Sequence, residues 1–366
     1  MPQVQITGLT KRFGPVIALE DVNLDIRDRE YLSIIGPSGC GKSTLIKCIA
    51  GIFAPDKGRI LVDGQAIENA PIQHRRIGYV FQEIALFPHM KIFENVSYGP
   101  RVQGHTRQSA QALVDELLNL IKLSDRASSL PLELSGGAQQ KVAVARALAS
   151  GSALLLLDEP FGALDSKVRA DLRYEIRKMT NDLGLTVLHV THDQEEAMSI
   201  SDRVVVMKAG KIIEDGTPLQ LYLRPKMIFT ANFLGEANFL RGTVIQQTST
   251  GVVVQAEDTH LQTIDRTREV GEEVIIAVRP EFVSIARGHG DKNRLRGKVG
   301  DVRFMGQIVR YEVEIAEGRT MYVEHPICFG ELEIEPLDEV TLGMSPHHTM
   351  IYSVPKHGLE KELQLE

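Results

Sequence analysis

Residues 36–43, GPSGCGKS, have the types and spacing of a loop that binds phosphate. They fit the pattern G-x-x-x-x-G-K-[ST], they follow an apolar run at 31–35, and they precede a helix-like run at 44–50. With that context present, a chance match explains the pattern poorly. Glycines let the backbone curl so that its N–H groups face a phosphate, and the helix behind adds a partial positive charge. The predicted nucleotide phosphate site comprises Gly36, Pro37, Ser38, Gly39, Cys40, Gly41, Lys42, Ser43 and Thr44.

Two loop side chains and an acidic pair further along predict phosphoryl chemistry. We expect Lys42 to reach the β- and γ-phosphates and the Ser43 hydroxyl to ligate Mg²⁺. Asp158 and Glu159 follow the apolar run 154–157, and a buried strand would bring them to its carboxyl end, where ligands bind in open α/β sheets. We expect Asp158 to hold Mg²⁺ through water and Glu159 to polarise the attacking water as a general base. The alternative is two acidic residues that only begin a loop.

A histidine follows a further apolar run, LTVLHV at 185–190. Taken alone, His192 is better explained as a structural histidine. His189 and His192 are not expected to share a metal ion, because residues i and i+3 of a strand point to opposite faces. Beside a phosphate loop, we expect His192 to lie next to the γ-phosphate.

A second segment with anion-binding character is LSGG at 134–137, which opens a helix-like stretch at 138–148. A Ser-Gly-Gly at a helix N-terminus can hold an anion. Taken alone, it is explained more simply as a serine N-cap with a flexible entry. Together with the loop at 36–43, it gives the chain one more phosphate site than a single ATP needs.

Alternating strands and helices must position these motifs. Up to about residue 235, short apolar runs typical of buried parallel strands alternate with helical patterns, as at 110–121 behind Thr106 and 168–183 behind Asp165. This alternation predicts an α/β fold with a parallel sheet. After residue 236 the pattern has period two, as at 310–315, with glycines between the runs. It predicts a small all-β domain of OB type.

Composition excludes an integral membrane protein, a collagen-like chain and a disordered chain. The chain has 366 residues, 43% hydrophobic and 24% charged, which fits a globular protein of two or three domains. Its net charge of −7 arises after residue 235, and the part before that is nearly neutral. No apolar run approaches the roughly 18 to 20 residues that cross a bilayer, and we expect no secretory signal. Cys40, Cys48 and Cys328 show no metal spacing, and a reducing cytoplasm is expected.

Seven motifs stand in a distinctive order along the chain. They are Phe13, GPSGCGKST at 36–44, Gln82, LSGG at 134–137, LLLLDEP at 154–160, ALD at 163–165 and THD at 191–193. In this order they resemble the ATPase subunit of an ATP-binding cassette (ABC) transporter, over residues 1 to about 235. The part after residue 236 resembles the C-terminal extension of the importers that serve sugars, polyamines, iron and oxyanions, on pieces such as FLGEAN (233–238) and VRPE (278–281).

The resemblance implies an architecture and a role for each matching position. It implies an ABC ATPase domain at 1–235 with a helical subdomain at about 88–150, and an OB-like regulatory or dimerisation domain at 236–366. Phe13 stacks on adenine, unless it is a core residue. Gln82 touches Mg²⁺ or the attacking water and senses the transport partner. The stretch 84–90 and the helices behind it receive a permease helix, and Asp165 lies at a subunit interface.

Family members pair head to tail, which accounts for the surplus anion site. Ser135, Gly136 and Gly137 of one copy would complete the site on residues 36–44 of the other. The residue that usually follows them is Gln, whereas this chain has Ala138. We expect a competent site with altered affinity.

The resemblance thus predicts the ATP-hydrolysing subunit of an ABC import complex, with ATP and Mg²⁺ as cofactors. Its expected partners are transmembrane permease subunits, a second ATPase subunit and, indirectly, an extracytoplasmic solute-binding protein. Its expected place is peripheral, on the cytoplasmic face of the membrane. FLGEAN favours a polyamine, iron or oxyanion over a sugar.

Two alternatives stay open at this point. The first is a soluble ABC ATPase that acts on nucleic acid or ribosomes, but the acidic β domain opposes phosphate binding, so no nucleic-acid partner is expected. The second is a stand-alone P-loop kinase, which would not explain LSGG at 134–137.

Overall fold

The structure is a computed structural model that describes residues 3–162, 164–257, 259–287, 294–315, 318–327 and 334–364. Ala163 of the ALD motif and Cys328 lie outside the described residues. Contacts divide the chain into two compact units, Met1–Pro218 and Leu219–Leu365. No α-helix among the described residues is long and apolar enough to cross a bilayer.

The first unit alternates strands and helices, as its hydrophobic pattern predicts. Its strands are β1 (Val4–Phe13), β2 (Val16–Ile26), β3 (Tyr31–Ile35), β4 (Lys57–Val62), β5 (Gln65–Ala66), β6 (Ile77–Val80), β7 (Leu154–Asp158), β8 (Thr186–Val190), β9 (Arg203–Lys208) and β10 (Lys211–Gly216). Its α-helices are α1 (Lys42–Ala50), α2 (Ile92–Val102), α3 (Arg107–Leu120), α4 (Gly136–Ala149), α5 (Ser166–Asp182) and α6 (Gln194–Ile200).

A mixed sheet forms the centre of the first unit. In the described residues it has six strands in the order β10-β9-β3-β8-β7-β6, of which only β10 runs antiparallel to its neighbour. Every residue of β3, β7 and β8 is buried. Strands that are buried on both faces need continuous apolar sequence, which is why the run at 154–157 is LLLL. The predicted α/β fold is confirmed. A separate antiparallel sheet, β2-β1-β4-β5, contains the first strand of the described residues.

Three helices, α2, α3 and α4, lie in the stretch predicted as a helical subdomain. The Thr106 hydroxyl accepts a hydrogen bond from the Ser109 amide at 3.2 Å and so caps α3 at the predicted residue. The apolar faces of these helices, with residues such as Val114 and Val142, join one hydrophobic core with β7 and α5. The helical period at 110–121 therefore reflects the packing of α3 on α2 and α4.

The second unit is mainly β, with three short α-helices among its described residues. Its strands are β11 (Asn238–Gln247), β12 (Val252–Ala256), β13 (Thr259–Gln262), β14 (Glu273–Val278), β15 (Val283–Arg287), β16 (Arg294–Phe304), β17 (Ile308–Ile315), β18 (Arg319–Pro326), β19 (Glu339–Met344) and β20 (Met350–Ser353). Its helices are α7 (Pro218–Leu223), α8 (Ile228–Phe233) and α9 (Leu359–Leu363).

These strands form two antiparallel sheets around one core. Among the described residues the sheets have five strands each, in the orders β13-β12-β11-β14-β20 and β15-β19-β16-β17-β18. Leu240 of the first sheet and Val299 and Val313 of the second pack into the same core. The predicted all-β domain is confirmed. The described residues form more strands than the five of a single OB barrel, and each of the two sheets covers the apolar face of the other.

Arg279 explains why α7 and α8 belong to the second unit. Its side chain is 1% exposed, and its donors reach the carbonyl of Tyr222 at 3.0 Å and that of Ala231 at 3.2 Å. Its guanidinium also lies 4.0 Å from the centroid of the Tyr222 ring. A buried guanidinium requires such partners, so it binds both helices to the end of β14. The boundary between the units therefore precedes these helices, whereas the sequence places it at residue 235.

Candidate active site

Four neighbouring strands bring the predicted site residues to one edge of the central sheet. In the order β3-β8-β7-β6, each parallel strand is followed at its carboxyl end by one predicted segment. These segments are the loop at 36–43, His192, the pair Asp158 and Glu159, and Gln82. Since the carboxyl ends of parallel strands share one edge, residues far apart in sequence meet there.

The loop at 36–43 depends on a glycine at its last turn and on a buried lysine. Gly41 has φ 106°, and a Cβ on it would lie 2.4 Å from the Ala18 carbonyl oxygen, so no other residue fits. Lys42 is 6% exposed, and its ammonium group donates to the carbonyl oxygens of Gly36 at 2.7 Å and Pro37 at 2.9 Å. The ammonium group thus lies inside the loop, where a phosphate would accept the same donors.

Asp158 is a buried carboxylate with several side-chain contacts. It is 3% exposed, Ser43 Oγ donates to its Oδ1 at 3.2 Å, and Lys47 Nζ lies 4.0 Å from its Oδ2. A hydroxyl and a carboxylate this close are hard oxygen donors of the kind that Mg²⁺ prefers. The two residues therefore fit a magnesium site.

Tyr79 is a site residue that the sequence reasoning missed. Its hydroxyl donates to Asp158 Oδ2 at 2.8 Å. Burial raises the pKa of Tyr79, and the hydrogen bond to Asp158 raises it further, so the hydroxyl stays a donor at neutral pH. The sequence alone provides no sufficient signal, because the contact depends on the pairing of β6 with β7, which sets Tyr79 in register with Leu156.

Glu159, Gln82 and His192 form a second cluster, separate from the Asp158 contacts. Gln82 Nε2 donates to Glu159 Oε2 at 3.1 Å, and His192 Nδ1 lies 3.0 Å from the same oxygen. Glu159 has φ 48°, and its amide donates to the Val190 carbonyl at 2.8 Å. This sharp turn lets two consecutive carboxylates enter different clusters.

His189 and His192 have different surroundings. His189 is fully buried, with Tyr31 Oη 3.3 Å from its Nδ1 and Glu196 Oε1 2.7 Å from its Nε2. The side chain of His192 is 58% exposed. His189 is therefore a structural histidine, and His192 is the one that can meet a ligand.

Phe13 lies at the end of β1 and is 44% exposed. Its ring centroid lies 5.2 Å from that of Phe53, and Lys11 Nζ lies 5.3 Å from it. The position is not that of a core residue. Stacking on adenine stays a prediction.

The LSGG segment begins α4. Ser135 Oγ accepts a hydrogen bond from the Ala138 amide at 3.4 Å, so the serine is an N-cap whose own hydroxyl proton can still be donated. A Cβ on Gly136 would lie 3.0 Å from Leu164 Cδ2, and a Cβ on Gly137 would lie 2.8 Å from Val168 Cγ1. A side chain at either position would crowd these neighbours, so the close approach to the residues around Asp165 favours glycine.

Asp165, predicted at a subunit interface, is the N-cap of α5. Its Oδ1 accepts a hydrogen bond from the Val168 amide at 3.0 Å. The interface role stays a prediction beside this local one.

Comparison with known proteins agrees with the site. The ABC transporter family matches residues 19–162, and the TOBE domain family matches residues 276–351. The spermidine/putrescine import ATP-binding protein PotA of Thermotoga maritima is 37% identical over 361 residues, covering 96% of this chain and 98% of that protein. The Fe(3+) ions import ATP-binding protein FbpC of Rhizobium etli is 39% identical over 340 residues, covering 93% and 95%.

A solved structure is similar to more than half of this chain. It is a dimeric ATP-binding cassette in a post-hydrolysis state, bound to ADP and Pi, with 33% identity and a TM-score of 0.53 over 59% of this chain and 98% of that one. Subunits of this kind work with membrane permease components. The chain carries a C-terminal TOBE domain and hydrolyses ATP. It belongs to the ABC transporter family, as the ATP-binding subunit of an import system.

Proposed function

We propose that this chain drives the uptake of a polyamine of the spermidine and putrescine class through a separate permease, from the cytoplasmic face of the membrane. The observation that carries the ATPase part is the meeting of Gln82, Glu159 and His192 beside the loop at 36–43. The solute is supported by relatives such as PotA of Thermotoga maritima, matched over nearly the whole length of both chains.

In the proposed mechanism, the phosphates of ATP take the donors of Lys42 and the amides of the loop. Ser43 and Asp158 would hold Mg²⁺, which supplies charge neutralisation at the β- and γ-phosphates. Tyr79 fixes the Asp158 carboxylate by its hydrogen bond to Oδ2. Phe13 would support adenine from its exposed position at the end of β1.

Glu159 would accept the proton of the attacking water. Gln82 and His192 both contact its Oε2, so among the described residues Oε1 is the oxygen that remains for the water. Gln82 orients the carboxylate by donation, and His192, with its exposed ring, can contact the γ-phosphate. A carboxylate oriented in this way is a general base within reach of a bound water.

Two copies would form the complete enzyme. Ser135, Gly136 and Gly137 of one copy lie at the N-terminus of α4, where amides and the helix dipole favour an anion, and would close on the nucleotide of the other copy. The closing and reopening of the pair would be passed to the permease through the helices α2 to α4. The second unit would stabilise or regulate the pair.

The pairing is tested by Glu159→Gln, which keeps the side-chain size and removes the base. With ATP and Mg²⁺ the variant should stay in the dimer during size-exclusion chromatography, because hydrolysis no longer reopens it. Glu195→Gln is the matched control, since Glu195 is a solvent-exposed carboxylate near the same edge. Only monomer for Glu159→Gln in ATP would count against the mechanism.

Ferric iron is the second candidate solute, because FbpC of Rhizobium etli matches this chain at 39% identity, close to the 37% of PotA. The choice is made by an uptake assay in cells that carry this chain with its permease. Labelled spermidine and labelled Fe(3+) are offered in turn, with Glu159→Gln as the inactive control. Uptake of iron without spermidine would replace the first proposal by the second.

A further inference from the structure

Arg169, near the start of α5, joins two segments that flank the candidate site. Its Nη2 donates to the Leu164 carbonyl at 3.1 Å, and its Nη1 donates to Asp193 Oδ2 at 3.1 Å. Leu164 lies next to the predicted interface residue Asp165, and Asp193 follows His192 directly. The guanidinium is a rigid fork, so it holds the two segments at a fixed spacing.

The segment around His192 is held on both sides. Asp193 Oδ1 accepts from the Glu196 amide at 3.0 Å, and the Asp193 amide donates to Thr191 Oγ1 at 3.0 Å. Burial acts to raise the pKa of Asp193, but the Glu196 amide and the hydrogen bond from Arg169 outweigh it and lower that pKa below its ordinary value. The carboxylate is therefore charged at neutral pH, and its ion pair with Arg169 persists there. The backbone of His192 is fixed while its side chain stays exposed.

The other end of this connection touches the LSGG segment. A Cβ on Gly136 would lie 3.0 Å from Leu164 Cδ2, and one on Gly137 would lie 2.8 Å from Val168 Cγ1. A side chain at either glycine would crowd these two residues, so the start of α4 packs directly on the residues on either side of Asp165. A shift of the start of α4 therefore acts first on these residues.

We propose that Arg169 is a positioning residue that makes the place of His192 depend on the place of Ser135–Gly137, so that the two half-sites of one copy move together. The inference rests on the proposed function of these half-sites. In a head-to-tail pair, nucleotide bound by the LSGG segment at the partner's site is sensed through Leu164, Arg169 and Asp193 at the copy's own site. The consequence is coupling between the two ATP sites.

A role in stability alone explains Arg169 less well. Its Nε is buried without a hydrogen-bond partner among the described residues, and such a donor lowers stability. Arg177, further along the same helix, offers the contrast. It donates to Asp202 Oδ1 at 2.6 Å and contacts neither of the two segments.

The test compares Arg169→Met with the control Arg177→Met in the full chain. Hydrolysis is measured against ATP concentration, and ATP binding is measured with a fluorescent nucleotide. For Arg169→Met we expect kcat to fall about tenfold, the scale of one lost hydrogen bond to a charged group, and the Hill coefficient to fall towards 1. ATP affinity should stay within about twofold, because the loop at 36–43 is intact. Arg169→Lys, which keeps the charge, should restore part of kcat.

A double-mutant cycle with Asp193→Asn separates coupling from independent damage. If the two residues act as one unit, the double variant should have the same kcat as Arg169→Met. If the fold-losses of kcat in the two single variants multiply in the double variant, the inference is overturned. So would a Hill coefficient of 1 in the unaltered chain, or kinetics of Arg169→Met equal to those of Arg177→Met. Full kcat in His192→Ala is a different failure, because it would remove the proposed role of His192 itself.

Discussion

Replacing Tyr79 by phenylalanine removes one hydroxyl group and leaves the ring in place. That hydroxyl donates to Asp158 Oδ2 at 2.8 Å, and Asp158 is 3% exposed. Without it, the nearest cation to this oxygen is Lys47 Nζ, at 4.0 Å. A hydrogen bond to a charged group contributes about 1.5–3 kcal/mol. We therefore expect the free energy of unfolding of Tyr79→Phe to fall by about 2 kcal/mol.

The measurement is urea denaturation without nucleotide, followed by a titration of hydrolysis with Mg²⁺ at saturating ATP. The Mg²⁺ concentration for half-maximal rate should rise, because Asp158 loses the group that orients it. Tyr98→Phe is the matched control, since Tyr98 is 41% exposed and its ring contacts Phe87 in the same unit. Surface changes of this kind stay within about 0.5 kcal/mol. The reasoning is refuted if Tyr79→Phe is no more destabilising than the control and leaves the Mg²⁺ dependence unchanged.

Three further predictions follow from burial and from the LSGG segment. Arg279→Met should lower the stability of the second unit by about 3 kcal/mol in calorimetry, since it leaves buried carbonyls such as that of Tyr222 unpaired. Burial raises the pKa of the Cys40 thiol, so alkylation followed by mass spectrometry should be slow at neutral pH, speed up as pH rises and be blocked by ATP. Cys48, fully buried with a pKa raised to about 11, should react more slowly still. Ala138→Gln should raise the apparent ATP affinity in hydrolysis assays several-fold, on the scale of one added hydrogen bond; equal affinities would show that the side chain at this position does not matter.

The strand ends of the site could be predicted because the residues that specify each of them are consecutive in the sequence. The run LLLL before Asp158 and the run YLSII before Gly36 each predict a buried strand. The carboxyl ends of parallel strands lie at the same edge of a sheet, so the residues that follow these strands are expected to meet. The caps at Thr106 and Asp165 were equally local, because a serine, threonine or aspartate before an apolar period has one main use.

The features that the sequence did not predict depend on contacts between distant residues. Tyr79 and Asp158 meet only because β6 and β7 are neighbours, and a tyrosine in a strand has many possible partners. The sequence does not indicate the contacts of Arg169, since an arginine on a polar helix face is common. The two compact units divide before α7 and not at residue 235, because Arg279, more than forty residues away from that position, binds α8.

The binding of α7 and α8 by Arg279 also decides which part of the chain can be moved as a module. Cutting at residue 235 would separate the guanidinium from the Tyr222 and Ala231 carbonyls and would expose Ile228 and Phe229, which are buried. A cut near residue 218 keeps both helices with the sheet that shields them. Recombination between relatives should therefore preserve function when the junction lies before α7, and chimaeras joined after α8 should aggregate.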